Sequence, residues 1–299
     1  MQVQVTDMNT DLLKYPVIID TDTANEADDQ FAIVYAALSP NVKLDAVTVA
    51  PFSNGREKDP SKGIDLSMEE AEKFLDLAGA DVPVFEGSRE FMRDDTVTPV
   101  ESPAAWYLVE RLRALPEGEK VIVCAIGCGT NIASALIKAP DIADKMILVW
   151  QAGHVPECPE GGEFNLCGDV NAARVIFSSS VPLVLIPAYG SASEMLVSIG
   201  ELRLGAAGKS AVGTALFDLL CDYIKANGDG SDDDRQKIIW DIASVGVLAG
   251  ISAKFEEHPR RVRLDDESFI EGEGSLTVCR GIDRDALVSD MIGLIGGAR

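Results

Sequence analysis

Histidine is nearly absent from this chain: His154 and His258 are the only two in 299 residues. A histidine-rich zinc site is therefore excluded. The six cysteines, at 124, 128, 158, 167, 221 and 279, are scattered with no CxxC pair. That spacing suits neither a zinc knuckle nor a disulfide scaffold and points to reduced, mostly buried thiols in a cytoplasmic protein. Basic residues are also scarce, 26 against 49 acids, for a net charge of −23. Such a surface repels phosphate backbones and anionic lipid, so nucleic-acid and membrane-surface partners are not expected. No apolar run reaches the ~20 residues that cross a bilayer. The opening MQVQVTDMNTDLLKYP lacks the basic start and apolar stretch of a secretion signal. There is no repeat of solenoid length.

What is present is alternation. Continuous apolar runs at Val17–Asp20, Lys43–Ala50, Val121–Ile126, Met146–Gln151 and Val181–Ile186 read as parallel strands covered on both faces. Helical patterns separate them: Asp28–Leu38, Ser67–Ala78 with a capping-box Ser67-x-x-Glu70, Ala104–Leu115, Asn131–Lys138 and Val170–Ser178. Ser191-x-x-Glu194 caps a short helix in the same reading. Longer helices follow at Ala211–Ala226 and Ile239–Ala249. The expected fold is α/β, one domain over residues 1–299, with a mostly parallel open sheet flanked by helices. Arg260–Leu264 and Ser275–Cys279 form a C-terminal antiparallel addition. Sites in such sheets sit in loops at the carboxyl ends of the strands.

The loop after the first strand is the most unusual segment. PVIIDTDTANEADDQFAIVYAAL packs four aspartates, Asp20, Asp22, Asp28 and Asp29, into ten residues. Helix capping accounts for one or two of them. Four charges packed this closely call for a cation or a network of donors, and oxygen ligands without histidine favour Ca²⁺ or Mg²⁺. The acidic run NGDGSDDD at 227–234 fails as an EF-hand, because Ile238 stands where a bidentate Glu belongs. It reads as a solvated loop.

A D-x-D after an apolar strand also occurs in haloacid-dehalogenase-like phosphatases, but Ala24 stands where that pattern needs Thr or Val. The segment more closely resembles the N-terminal signature of the nucleoside hydrolases, D-x-D-P-G-x-D-D, here with the longer spacer Thr23–Ala27 and without Pro-Gly. The resemblance continues through the strand leading to Asn54, through AIGCGTNIASAL and GGEFNLCGDVNAA, and to Trp240-Asp241. It implies calcium-dependent hydrolysis of the N-glycosidic bond of a ribonucleoside, a small-molecule substrate, in a homodimer or homotetramer. By resemblance, Asp22, Asp29, Asp241 and the backbone carbonyl of Ile126 hold Ca²⁺, Asp22 is the general base, and Asp28, Asn54, Glu163 and Asn165 bind ribose.

Glu163 and Asn165 flank Phe164, and an extended backbone there would turn both to one side. Pyrimidine- and inosine-cleaving members carry His before the late aspartate. Trp240 stands there instead, which favours a purine or purine-like base activated by stacking. Phe52, Phe91 and Trp106 are the candidate second stacking aromatics, Trp106 reading more readily as core. His154 is a possible acid with an ordinary pKa, and Glu157 falls near a ribose-contacting position. Asn131 and Asp169 read as helix caps. A ribosyl-binding protein that has lost catalysis is the alternative from another class.

Overall fold

The computed structural model describes residues 12–93, 95–227, 235–264 and 268–297; most of the acidic 227–234 run and the N-terminal segment before residue 12 lie outside the described residues. Eight strands form one sheet in the order β3-β2-β1-β4-β5-β6-β10-β9. They are β1 (Pro16–Thr21), β2 (Lys43–Val49), β3 (Val84–Phe85), β4 (Val121–Ala125), β5 (Met146–Trp150), β6 (Leu183–Leu185), β9 (Ala253–Arg263) and β10 (Phe269–Ile282). All neighbours run parallel except β9 and β10. This is the expected sheet with its antiparallel addition, although that pair is far longer than the sequence pattern suggested.

Alternation of side chains explains the two layers. From β1, Ile19 enters the core on one face with Phe31, Tyr35, Phe74 and Ile242, while Ile18 enters the other with Leu108, Ile132 and Phe177. The first face is covered by α1 (Asp29–Leu38), α2 (Pro60–Ala78), α7 (Ile199–Gly205), α8 (Ala211–Asn227), α9 (Ile242–Leu248) and α10 (Arg284–Gly297). The second is covered by α3 (Pro103–Arg113), α4 (Thr130–Lys138) and α6 (Val170–Ser178). Burial on both faces is why the inner strands read as unbroken apolar runs.

Three local expectations are corrected. The helix read from Ser67 begins at Pro60, because Asp59 accepts from Ser61 N at 3.0 Å and proline is preorganised for the first turn. Ser67 is thus interior, and its buried Oγ accepts from Ala24 N at 3.0 Å, tying α2 to the acidic loop. Ser191 makes no cap bond; its hydroxyl donates to Pro187 O at 2.9 Å. A separate two-stranded sheet, β7 (Leu196–Ser198) against β8 (Gln236–Ile238), was not legible from three-residue strands. None of the six cysteines forms a disulfide among the described residues, and three of them are buried.

The order 3-2-1-4-5-6 reverses direction between β1 and β4, so their carboxyl ends open a crevice at a topological switch point. Backbone bonds fix the edges of that crevice. Ile126 N donates to Asp20 O at 2.8 Å, and Ala50 N to Thr21 O at 2.7 Å.

Candidate active site

A cleft of about 390 Å³ opens at this switch point, of the size that holds a small molecule. Asp22, Asp28, Asp29, Asp241, Glu163, Asn165, Ile126 and Trp240 all line it. Asn54 does not. Its amide donates to Asn25 Oδ1 at 2.8 Å, and Asn25 is the residue that faces the cleft. The longer spacer after the D-x-D places Asn25 in front of Asn54.

Neither Asp28 nor Asp241 caps the helix it precedes, although each occupies the N-cap position. Both carboxylates instead turn to the cleft, where oxygens of Asp28, Asp29 and Asp241 lie within 4.8 Å of one another. Asp29 Oδ1 accepts from Thr21 Oγ1 at 2.5 Å and from Asp22 N at 3.2 Å, so the loop folds back on itself. Gln30 braces it from behind, its amide donating to Thr23 O and to Glu70.

All four carboxyls are buried, and burial is the first cause of their raised pKa values. Asp28 is pushed up to about 6 and Asp29 to about 7, with neighbouring carboxylates adding to the shift. Asp22 and Asp241 are raised well above the carboxylate range, by burial and then by repulsion from Asp29 and Asp28. Asp22 Oδ2 and Gln151 Oε1 are buried with no hydrogen-bond partner among the described residues. Unpartnered acceptors beside a crowd of carboxylates fit a hard divalent cation, and the carboxylates whose oxygens converge closely enough to share one are Asp28, Asp29 and Asp241.

Gly127 makes that approach possible. A Cβ there would stand 2.9 Å from Ala50 Cβ and 3.4 Å from Asp22 Cγ. Gly127→Ala is therefore expected to cost about 1–3 kcal/mol of stability through overpacking and to weaken divalent-cation binding. Thermal melting and a calcium titration check this. A variant matching the parent in both would show that the loop yields freely.

The Phe164 segment is not extended. It forms α5 (Phe164–Gly168), and Glu163 caps it, accepting from Asn165 N at 3.1 Å and Leu166 N at 2.8 Å. Glu163 also accepts from Gly153 N at 2.8 Å. Burial still lifts its carboxyl to about 7 against those three donors. The Asn165 amide donates to Ile126 O at 3.1 Å and Gln151 O at 3.0 Å, locking the ends of β4 and β5 together. Asp169 does cap α6, accepting from Ala172 N at 3.0 Å.

Asn131 is not a cap. Gly129 holds the cap position, and the fully buried Asn131 amide donates to Asp20 Oδ1 at 2.9 Å and Val49 O at 2.8 Å. Thr48 Oγ1 donates to the same Asp20 oxygen at 2.6 Å. Burial raises Asp20 to about 6, and these two donors oppose it. Asp20 thus stitches strand ends beneath the cleft.

Half-buried Trp240 stands edge-on to Tyr189, with ring centroids 6.1 Å apart. Tyr189 is 47% exposed and packs beside His154 at 4.8 Å. With Phe164 they form an aromatic wall. Phe52, Phe91 and Trp106 do not line the cleft. Trp106 is not core either, being 47% exposed with its indole donating to Glu101 at 2.8 Å. Tyr189 was missed because it sits in an irregular loop after β6. His154 does not keep an ordinary pKa: burial lowers it, Glu160 opposing. Glu157 pairs with Arg280 at 2.8 Å outside the cleft.

An open α/β sheet whose switch point gathers buried carboxylates together with Trp240, Tyr189 and Phe164 around one cleft defines a candidate small-molecule site. The chain belongs to the inosine-uridine preferring nucleoside hydrolase family, whose model matches residues 17–289. It is similar to the pyrimidine-specific ribonucleoside hydrolase RihA of Enterobacter sp., 28% identical over 71% of this chain and 72% of that one. An uncharacterized protein of Schizosaccharomyces pombe is 29% identical over 57% of this chain, and the match spans 60% of that relative. Among solved structures, a plant nucleoside hydrolase superposes with a TM-score of 0.71 at 20% identity, covering 94% of this chain and 99% of that one. A purine-preferring ribonucleoside hydrolase from Gardnerella vaginalis gives 0.68 at 20% identity, covering 95% and 98%. This family assignment sets the phosphatase alternative aside.

Proposed function

We propose that the protein hydrolyses the N-glycosidic bond of a ribonucleoside in a calcium-dependent reaction, releasing ribose and a purine or purine-like base. The observation that carries this reading is that Asp22, Asp28, Asp29 and Asp241 line one cleft together with Trp240 and Tyr189. Glycosidic cleavage passes through an oxocarbenium-like ribosyl cation, and a wall of carboxylates stabilises positive charge developing at C1′. Asp22, Asp29, Asp241 and the Ile126 carbonyl would hold a divalent ion, which would supply a water of lowered pKa and an anchor for vicinal hydroxyls.

Asp22 accepts the proton of the attacking water as its oxygen bonds to C1′. The C1′–N bond breaks, its electron pair leaves with the base, the base takes a proton from solvent, and Asp22 returns its proton to solvent before the next turnover. Asp28, Asn165 and Glu163 bind ribose hydroxyls in this reading, with Asn25 taking the place first given to Asn54. Such a site rejects sugars lacking a hydroxyl, because its polar groups are then left unpaired.

The departing base lies against Trp240 and Tyr189, where indole offers the broadest face and the strongest attraction for a protonated purine. Trp240→Ala is expected to lower kcat/KM for purine nucleosides about thirtyfold, the equivalent of ~2 kcal/mol of aromatic contact. An aryl riboside with a good leaving group, such as p-nitrophenyl riboside, needs no such help and should lose only a few-fold. Equal losses on both substrates would assign Trp240 to the fold rather than to the leaving base. Base release across purine, pyrimidine and modified nucleosides, with and without chelator, tests the whole reading. Retention of phosphate-free activity in chelator, or activity confined to pyrimidines, would overturn its respective part.

A further inference from the structure

Lys237 is a buried ammonium beside the acidic cup, its side chain only 8% exposed. It sits on β8, three residues before Trp240. Its Nζ donates to Glu26 Oε2 at 2.7 Å and to Ile238 O at 3.1 Å. It stands 3.6 Å from Asp28 Oδ2 and 4.9 Å from the centre of the Tyr223 ring. Asp28 also lies in the close trio with Asp29 and Asp241, so by distance alone it competes with Asp22 as a cation ligand. A carboxylate cannot fully serve an ion, a lysine and a sugar hydroxyl at once.

We infer that Lys237 divides the cup: it engages Asp28 and so reserves that carboxylate for substrate hydroxyls, leaving Asp22, Asp29 and Asp241 to hold the ion. The inference rests on the reading of the cup as a divalent-cation site. Two features support it. Glu26, on the rim of the cleft, makes the short contact to Lys237, so the ammonium is satisfied without monopolising Asp28, whose oxygens keep free lone pairs. The charges also close sensibly. With Glu26 counted, five carboxylates, one lysine and one divalent ion leave two net negative charges facing the ribosyl cation as it forms. Without the lysine that surplus grows to three, Asp28 is released towards the ion, and the ion is held more tightly at the expense of substrate.

Lys237 is thus a positioning residue, and calcium binding to the substrate-free protein reads its effect directly. Isothermal titration with Ca²⁺ at pH 8, where a freed Asp28 competes as a carboxylate, is expected to show Lys237→Met binding about tenfold tighter than the parent. KM for a ribonucleoside should rise about tenfold, while Lys237→Arg, which keeps the charge, stays within about twofold on calcium. A purely structural role predicts the opposite, since loosening β8 displaces Asp241 and weakens calcium. Unchanged or weaker calcium binding in a Lys237→Met protein that melts cooperatively overturns the inference.

Should Lys237→Met not fold, Asp28→Asn decides. It is expected to weaken calcium less than about tenfold, against more than about a hundredfold for Asp29→Asn and Asp241→Asn. Equal losses at all three positions make Asp28 a ligand and overturn the inference. A parent protein that binds no calcium overturns the reading beneath it instead.

Discussion

Asp22→Asn is expected to slow base release from a ribonucleoside at least about a thousandfold, within the range that a positioned general base contributes. The variant is also expected to melt at a higher temperature than the parent in chelator. Asp22 is buried among three other carboxylates, and burial with their repulsion holds its pKa well above the carboxylate range. An asparagine there keeps the shape and removes a charge that the fold tolerates at a cost. Loss of activity together with gained stability is the signature of a group kept for chemistry. Steady-state assays of free base and a thermal melt read the two effects separately. An active parent with an Asp22→Asn rate within tenfold would remove Asp22 from the reaction. A parent inactive on every nucleoside, yet binding ribose, would favour a binding protein that has lost catalysis.

The second large effect is the response to divalent cations, and its sign depends on pH. The folded-state pKa of Asp28 is about 6 and that of Asp29 about 7, while Asp22 and Asp241 are raised further. In the unfolded chain these groups ionise near 4. Between about pH 4 and 7 the folded protein therefore holds more protons than the unfolded one, so this cluster makes stability fall as pH rises. In chelator the melting temperature should drop between pH 5 and 7.5. Calcium binds the deprotonated cup, so its stabilisation grows over the same interval. At a hundred times its Kd the ion contributes ~2.7 kcal/mol, or about 4 °C for a chain of this size. Melting curves at pH 5.5 and pH 8, with calcium or chelator, measure this. A calcium shift equal at both pH values would mean that the cup does not bind the ion through these carboxylates.

The parallel strands were legible because burial on both faces leaves an unbroken apolar signature, and the acidic cup was legible because four aspartates in ten residues have few structural uses. The trio of Asp28, Asp29 and Asp241 joins residues more than two hundred positions apart, and only the resemblance linked them. Residues whose role depends on loop paths were harder to read. Asn54 stands behind Asn25, to which it donates, so it is Asn25 that lines the cleft. Asn131 looks like a cap from its neighbours, yet it faces inward to the strand ends, where buried carbonyl and carboxylate oxygens need a donor. Tyr189, Gln151 and Lys237 carry no local signal at all. Each becomes relevant only when an irregular segment or a three-residue strand brings it to the rim.

The two halves of the cleft have different mechanical origins. Among its carboxylates, Asp22 stands just beyond β1, where backbone bonds to β2 and β4 fix the strand end, and Asp28 and Asp29 open α1. The aromatic part of its lining, Tyr189, His154 and Trp240, comes from connecting segments and the short approach from β8. Replacing those segments perturbs few sheet bonds. Laboratory evolution toward a new nucleobase should therefore accumulate substitutions in 152–162, in 187–195 and at Trp240, and leave Asp22, Asp28, Asp29, Glu163, Lys237 and Asp241 unaltered.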